Sequence, residues 1–193
     1  LLRRALEIDE SSFGSDHPNV AIRLNNLAQL LQATNQLDEA EPLIRRAIQV
    51  FKKSLGENDP LVATSLNNLA TLLQDTNRQE KAEPLMRRAL EIDESTSGSG
   101  HPEVATDLSN LASLLQDTNR LEKAGPMMRR ALEIDEASFG LDHMILTDHA
   151  GGVTRLLQQA LQRSVALDDM RVEFNHRLAF FLGDRLEPVV VGP

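Results

Sequence analysis

The sequence contains no cysteine, no tryptophan and no tyrosine, and its only aromatic residues are six phenylalanines. Without cysteine, no disulfide, thiolate metal site or catalytic thiol can form. Such a chain is typical of compartments where proteins are not cross-linked by oxidation, which favours a cytoplasmic protein. The interior must therefore be packed by Leu, Ile, Met and Ala, and aromatic anchoring of a ligand is disfavoured.

Long apolar runs and excess positive charge are also missing. No stretch approaches the roughly 20 apolar residues that a membrane-spanning helix needs, and no signal-peptide pattern opens the chain. The formal net charge is −9, which disfavours a nucleic-acid backbone as the main partner. We therefore expect neither a membrane nor a nucleic acid as partner.

The chain does contain one unit written three times. The motif that begins Ala-Glu-Pro-Leu or Ala-Gly-Pro-Met starts at Ala40, Ala82 and Ala124, at intervals of 42 residues. A fixed period of this length indicates a stacked array, because one unit cannot bury its apolar face alone. Residues 1–10 align with residues 85–94, so the chain begins inside a repeat, and we interpret it as a piece of a longer protein.

Each repeat divides into two helical segments. Val20, Leu24, Leu27 and Leu31 recur at spacings of three and four, which predicts an amphipathic first helix. This helix starts at a proline, which suits a first helical position: Pro18, Pro60 and Pro102. It ends at an asparagine, which tolerates the left-handed conformation that closes a helix: Asn35, Asn77 and Asn119. The second helix is predicted from about residue 37 to 55.

These boundaries divide the chain into five parts. Residues 1–14 are predicted to be the second helix of a truncated repeat, and residues 141–193 a degenerate repeat followed by capping helices that cover the end of the stack. Alternatively, the tail begins a different domain. The three full repeats are predicted at residues 15–56, 57–98 and 99–140.

The repeat resembles the tetratricopeptide repeat, in the 42-residue variety typical of kinesin light chains. The resemblance rests on the segments Leu24-Asn25-Asn26-Leu27-Ala28 and Ala40-Glu41-Pro42-Leu43 and on alanines at three matching positions of each copy. It implies an all-α, right-handed α-solenoid of stacked helix-turn-helix hairpins. The chain departs from the family where a tyrosine is usual near the end of the first helix, since it has leucine there.

The resemblance also implies a ligand-binding face. In this family the first helices line a concave surface that receives extended peptides. Amide side chains suit this role because each offers two donors and an acceptor to a peptide backbone. The alternative is an amide ladder that only joins neighbouring helices. The residues expected at this peptide-binding face are Asn25, Asn26, Gln29, Gln32, Asn67, Asn68, Thr71, Gln74, Ser109, Asn110, Ser113 and Gln116.

The charges near this face predict the class of ligand. Family members that capture a C-terminal carboxylate use basic side chains, but this chain has Ile22, Thr64 and Thr106 at one such place. Asp75 and Asp117 add acid at the rim, so we expect a neutral or basic peptide. The paired arginines of the second helices lie at ion-pair spacing from glutamates, which favours a solvated outer face without a partner.

Nothing in the sequence predicts catalysis. No nucleophile elbow, phosphate loop or zinc-protease motif is present, and no catalytic residue, cofactor or metal site is expected. The histidines lack metal-ligand spacing. The sequence predicts a scaffold that binds a protein or peptide. The alternative is a structural spacer or self-association module that stacks with copies of itself.

Overall fold

The computed structural model describes residues 1–139, and this part of the chain consists of helices and short connections without a strand. The helices are α1 (Leu2–Phe13), α2 (Pro18–Ala33), α3 (Leu37–Leu55), α4 (Pro60–Asp75), α5 (Gln79–Thr96), α6 (Pro102–Asp117) and α7 (Leu121–Phe139). The predicted all-α class and the predicted bounds of the second helix are confirmed. The degenerate repeat and cap predicted at residues 141–193 lie outside the described residues.

The first helices of the three repeats begin with the predicted proline. The residue before each proline caps the helix with its side chain. His17 Nδ1 accepts from the backbone N–H of Asn19 at 3.2 Å, and Asp59 Oδ1 accepts from that of Leu61 at 2.9 Å. His101 Nδ1 accepts in the same way at 3.5 Å. The histidines at these loop positions are therefore helix caps.

The predicted asparagines close the first helices. Asn35, Asn77 and Asn119 have φ angles of 58°, 57° and 61°, in the left-handed region. In the first repeat the N–H of Gln36 bonds to the carbonyl of Leu31 at 2.8 Å, and that of Asn35 to Gln32 at 2.9 Å. These two bonds form a Schellman motif, which satisfies carbonyls that the helix leaves free. The same pattern recurs at the other two asparagines.

Each second helix contains a proline beyond its first turn. Pro42, Pro84 and Pro126 each occupy the sixth position of α3, α5 and α7. At this depth a proline removes one hydrogen bond of the helix and not only an end group. All three are exposed, so water can solvate the carbonyls that lose their partners.

The core runs along the stack. Apolar residues of α1 to α7 form one contiguous cluster, with a smaller cluster between α6 and α7. The alanines that mark the resemblance are fully buried, as Ala28, Ala70 and Ala112 show. Each hairpin packs most extensively within itself, and next with the first helix of the following repeat. Among the described helices, none has the length and apolar character needed to cross a bilayer.

The first helices of the first two full repeats approach each other more closely than the second helices of those repeats do. Contacts between α2 and α4 are more extensive than those between α3 and α5. In a curved stack of repeats, the elements on the inner side come closest. This favours an inner position for α2 and α4, and it puts the predicted peptide-binding residues on the helices that line that side.

Candidate ligand-binding face

One row of predicted residues lies open on the first helices. Asn26 is exposed, and Asn68 and Asn110, its equivalents in the next two repeats, are half-buried. Gln29 Nε2 donates to Asn68 Oδ1 at 3.4 Å, which joins α2 to α4. Asn68 Nδ2 is itself buried and has no acceptor among the described residues. We call Asn26, Asn68 and Asn110 the open amide row.

The adjacent row of predicted residues is already bonded inside the stack. Asn25 is buried, and its Nδ2 donates to Ser65 Oγ at 2.7 Å. Asn67 Nδ2 donates to Asp107 Oδ1 in the same way, and Ser109 is buried beside Met128. The structure therefore places this row between helices, as in the amide-ladder alternative, and not on an open surface.

The remaining predicted residues divide between the two environments. Thr71 is exposed and Ser113 half-buried, and both lie one turn beyond the open amide row. Gln32 donates from Nε2 to Asp75 Oδ2 at 2.5 Å. Gln74 is half-buried, whereas Gln116 is buried.

The two rim acids occupy the last residues of α4 and α6. Asp75 and Asp117 are both exposed, while the equivalent position of α2 is Ala33. A negative charge at a helix C-terminus is unfavourable by roughly 0.3–1 kcal/mol, because the helix dipole is also negative there. A cationic group of a ligand bound between them would relieve this repulsion.

The second helices are joined through glutamates that each hold two arginines. Glu41 pairs with Arg45 at 2.8 Å and with Arg78 of the following repeat at 2.7 Å. The predicted pairing within the helix is thus confirmed. The pairing between repeats was not predicted, because it joins residues far apart in the sequence.

Glu83 repeats this arrangement with Arg87 at 2.8 Å and Arg120 at 2.7 Å. The hydrogen bond from Arg120 is the main cause that lowers the pKa of Glu83 below its ordinary value of 4.5, and Arg78 lowers the pKa of Glu41 in the same way. The ionised glutamates therefore hold consecutive repeats in fixed relation.

Replacement of Glu83 by glutamine is expected to lower the free energy of unfolding at pH 7 by about 1 kcal/mol, since both arginines remain partly exposed. A carboxyl whose folded pKa is lowered stabilises the fold above its unfolded pKa and loses that effect as pH falls through the folded pKa. The variant should therefore lose less stability than the parent below pH 4.5, the ordinary value. Thermal unfolding followed by circular dichroism from pH 7 to 3 measures both effects.

Glu39→Gln is the matched control, because Glu39 pairs with Arg3 and both side chains are more than half exposed. We expect this change to have an effect of only about 0–0.5 kcal/mol. Equal losses in the two variants would contradict a special role for Glu83.

Most arginines of the paired positions on the second helices form ion pairs in the structure. Arg4 and Arg88 pair with glutamates three residues later, at 3.0 Å each. Arg46 reaches Glu10 in the preceding repeat at 2.6 Å. These contacts agree with the interpretation as a solvated outer face. Within residues 1–139, no group of three or more acidic or histidine side chains is placed to hold a metal ion.

The sequence does not predict the side-chain contacts at the places where one repeat meets the next. We call the contacts α1–α2, α3–α4 and α5–α6 the first, second and third repeat joints. The first joint contains an ion pair of Asp9 and Arg23, with Oδ2 and Nε 2.8 Å apart. Alignment at the repeat period puts Ser65 and Asp107 at the place of Arg23, so the joints differ in charge.

Comparison with known proteins gives independent evidence for the repeat family. The family model described as tetratricopeptide repeat matches residues 1–53, 24–95 and 80–137. No curated protein matches the chain.

Several solved structures have a similar fold. The structure of the nearly identical TPR-like repeats of a putative kinesin light chain of Podosopora anserina has a TM-score of 0.74 and 19% identity over 96% of this chain and 86% of its own. BtubC (BKLC) from P. vanneervenii has a TM-score of 0.70 and 22% identity over 100% and 76%. The N-terminal domain of stress-induced protein-1 from C. elegans has a TM-score of 0.51 and 17% identity over 66% and 91%.

Proposed function

Because the chain belongs to the tetratricopeptide repeat family, a family of protein-interaction scaffolds, we propose that its first helices bind an extended, neutral or basic peptide segment of a partner protein. The open amide row carries this proposal. Its three residues remain accessible in part, whereas the neighbouring row is used up by contacts inside the stack. The amides at Asn26, Asn68 and Asn110 hydrogen-bond the ligand backbone.

The rim acids select the charge of the ligand. Asp75 and Asp117 lie one repeat apart on the same helices as the amide row. Lysine or arginine side chains of the peptide pair with them and interact favourably with the negative dipole ends of α4 and α6. An acidic peptide would be repelled at the same place.

A binding measurement with matched peptides tests this proposal. A peptide array would first identify ligands, and fluorescence anisotropy would then compare neutral, lysine-containing and glutamate-containing versions of each. The triple variant Asn26→Ala, Asn68→Ala, Asn110→Ala is expected to weaken binding at least about tenfold, because each lost hydrogen bond contributes about 0.5–1.5 kcal/mol. Gln49→Ala, an exposed amide on a second helix, is the control and should bind as the parent does.

The charge preference has its own variant. Asp75→Asn with Asp117→Asn is expected to remove the preference for lysine-containing peptides and to leave the neutral peptides unaffected. Unchanged binding by a folded triple variant would refute the amide row as a binding site. A parent protein that favours glutamate-containing peptides would refute the charge assignment.

A second candidate function is supported by the apolar end of the stack. Ile8 and Leu30 are about half exposed, whereas their equivalents in the following repeats, such as Ile92 and Leu72, are fully buried. A helical hairpin from another copy could cover these side chains and extend the stack. Light scattering across a hundredfold dilution would distinguish the two functions, because a peptide scaffold keeps its mass whereas stacked copies dissociate.

A further inference from the structure

The third repeat joint contains two acidic side chains where the first joint contains an ion pair. Asp93 and Asp107 are 14 residues apart, the same separation as Asp9 and Arg23. At the second joint the equivalent residues are Phe51 and Ser65. The same position in the fold is therefore an ion pair, an uncharged pair and a pair of carboxyl groups in turn.

The two carboxyl groups of the third joint are buried. Asp93 is 4% exposed and Asp107 is 1% exposed. Asn67 of α4 donates to Asp107 Oδ1, while Asp107 Oδ2 is buried without a donor from the described residues. The carboxyl groups of Asp93 and Asp107 are close enough for each to affect the pKa of the other. Two carboxyl groups can hydrogen-bond only if one of them carries a proton.

The surrounding charges do not neutralise this pair when it is ionised. The negative charge of Glu103, at the start of α6, disfavours the ionised form of both carboxyl groups. His101 favours the ionised form of Asp93. Burial raises the pKa of Asp107 to about 7, and the nearby Asp93 carboxyl adds to this, while the bond from Asn67 partly offsets it. Burial also raises the pKa of Asp93.

We propose that the third repeat joint is a proton-dependent latch, in which Asp93 and Asp107 share one proton while α5 and α6 are closely packed and the joint loosens when that proton is lost. No covalent bond changes in this step, since the proton passes to solvent and leaves two like charges in a buried contact. Asn67 ties the latch to α4, so its state also affects the relative placement of two helices that carry the amide row. The latch is independent of the proposed ligand, and its test needs none.

The direction of the pH effect follows from the raised pKa. A carboxyl whose folded pKa is raised stabilises the fold most at low pH. Its contribution to the free energy of unfolding falls as the pH rises from the unfolded pKa of 3.8 through about 7, and it is lost above that. Between pH 6 and pH 8 the population of the open joint is therefore expected to rise about tenfold, since the folded group passes from protonated to ionised while the unfolded group stays ionised.

Amide hydrogen exchange of the full chain at pH 6 and pH 8, corrected for intrinsic exchange rates, tests the latch. Peptides covering the end of α5 and the start of α6 should show a protection factor about tenfold lower at pH 8, whereas peptides of α2 and α3 should not change. Asp107→Arg, which copies the ion pair of the first joint, and Asp107→Asn, which cannot ionise, should both abolish the difference. Asp38→Asn, which alters an exposed carboxyl of α3, should keep it.

Two results would overturn the proposal. One is equal protection of α5 and α6 in the parent protein at both pH values. The other is a tenfold difference that persists in Asp107→Asn. If the arginine variant does not fold, the asparagine variant and a carbon-13 titration of the carboxyl groups in the parent still decide, because the latch requires one of the two to titrate near pH 7.

Discussion

Replacement of Phe51 by alanine is expected to lower the free energy of unfolding by about 3–5 kcal/mol. Phe51 is 0% exposed and belongs to the core cluster that runs along the stack. Alanine would lose the transfer free energy of the ring and leave a cavity that the neighbouring helices fill only in part. Urea unfolding followed by circular dichroism measures the change as a lower midpoint.

Two further variants make this prediction specific. Phe51→Leu retains most of the volume and should cost less than about 1.5 kcal/mol. Phe13→Ala removes a ring of α1 one turn beyond Asp9, the residue equivalent to Phe51; this ring is about half exposed, and its removal should cost little. A midpoint for Phe51→Ala close to that of Phe51→Leu would show that the core closes around the missing ring and would contradict the expectation.

The fold of residues 1–139 could be predicted almost completely from the sequence, because its signals are local. Leucine and alanine at spacings of three and four define the buried faces. Proline preceded by a side-chain cap starts each first helix, and asparagine in the left-handed region ends it. These signals recur three times in register, so each copy supports the interpretation of the others.

The placement of the side chains in the proposed ligand-binding face could be predicted only in part. Asn25 and Asn26 are adjacent, yet one is buried against Ser65 and the other is exposed. Consecutive residues of a helix point about 100° apart, and whether both reach the open side depends on the rotation of the helix against its neighbours. That rotation is set by packing between repeats, which a periodic sequence does not specify.

The contacts between repeats could not be predicted from the sequence, for a different reason. Their partners lie 14, 37 or 40 residues apart, as in Asp93 with Asp107, Glu41 with Arg78 and Asn25 with Ser65. Helical spacing rules connect residues only three or four apart. The repeat alignment does show a change of charge, since one aligned position holds Arg, Ser and Asp. Without the fold, however, the residue that this position contacts cannot be identified.

The apolar end of the stack and the interior can be compared at a single aligned position. Leu72→Ala is expected to lower the free energy of unfolding by about 2–5 kcal/mol, whereas Leu30→Ala is expected to cost less than about 1 kcal/mol. Leu72 is 0% exposed and Leu30 is 50% exposed. The chemistry of the two substitutions is identical, so the difference reports only the neighbours that each leucine contacts.

The same pair of variants also tests whether copies of the chain stack. In a monomer, the urea midpoint falls strongly for Leu72→Ala and barely for Leu30→Ala, at every protein concentration. If another copy covers the end of the stack, Leu30 is buried in the assembly. Leu30→Ala then has a lower urea midpoint and a lower scattering mass than the parent, and both differences grow with protein concentration. A large, concentration-independent loss for Leu30→Ala would contradict both, because it would mean that this leucine is buried within a single chain.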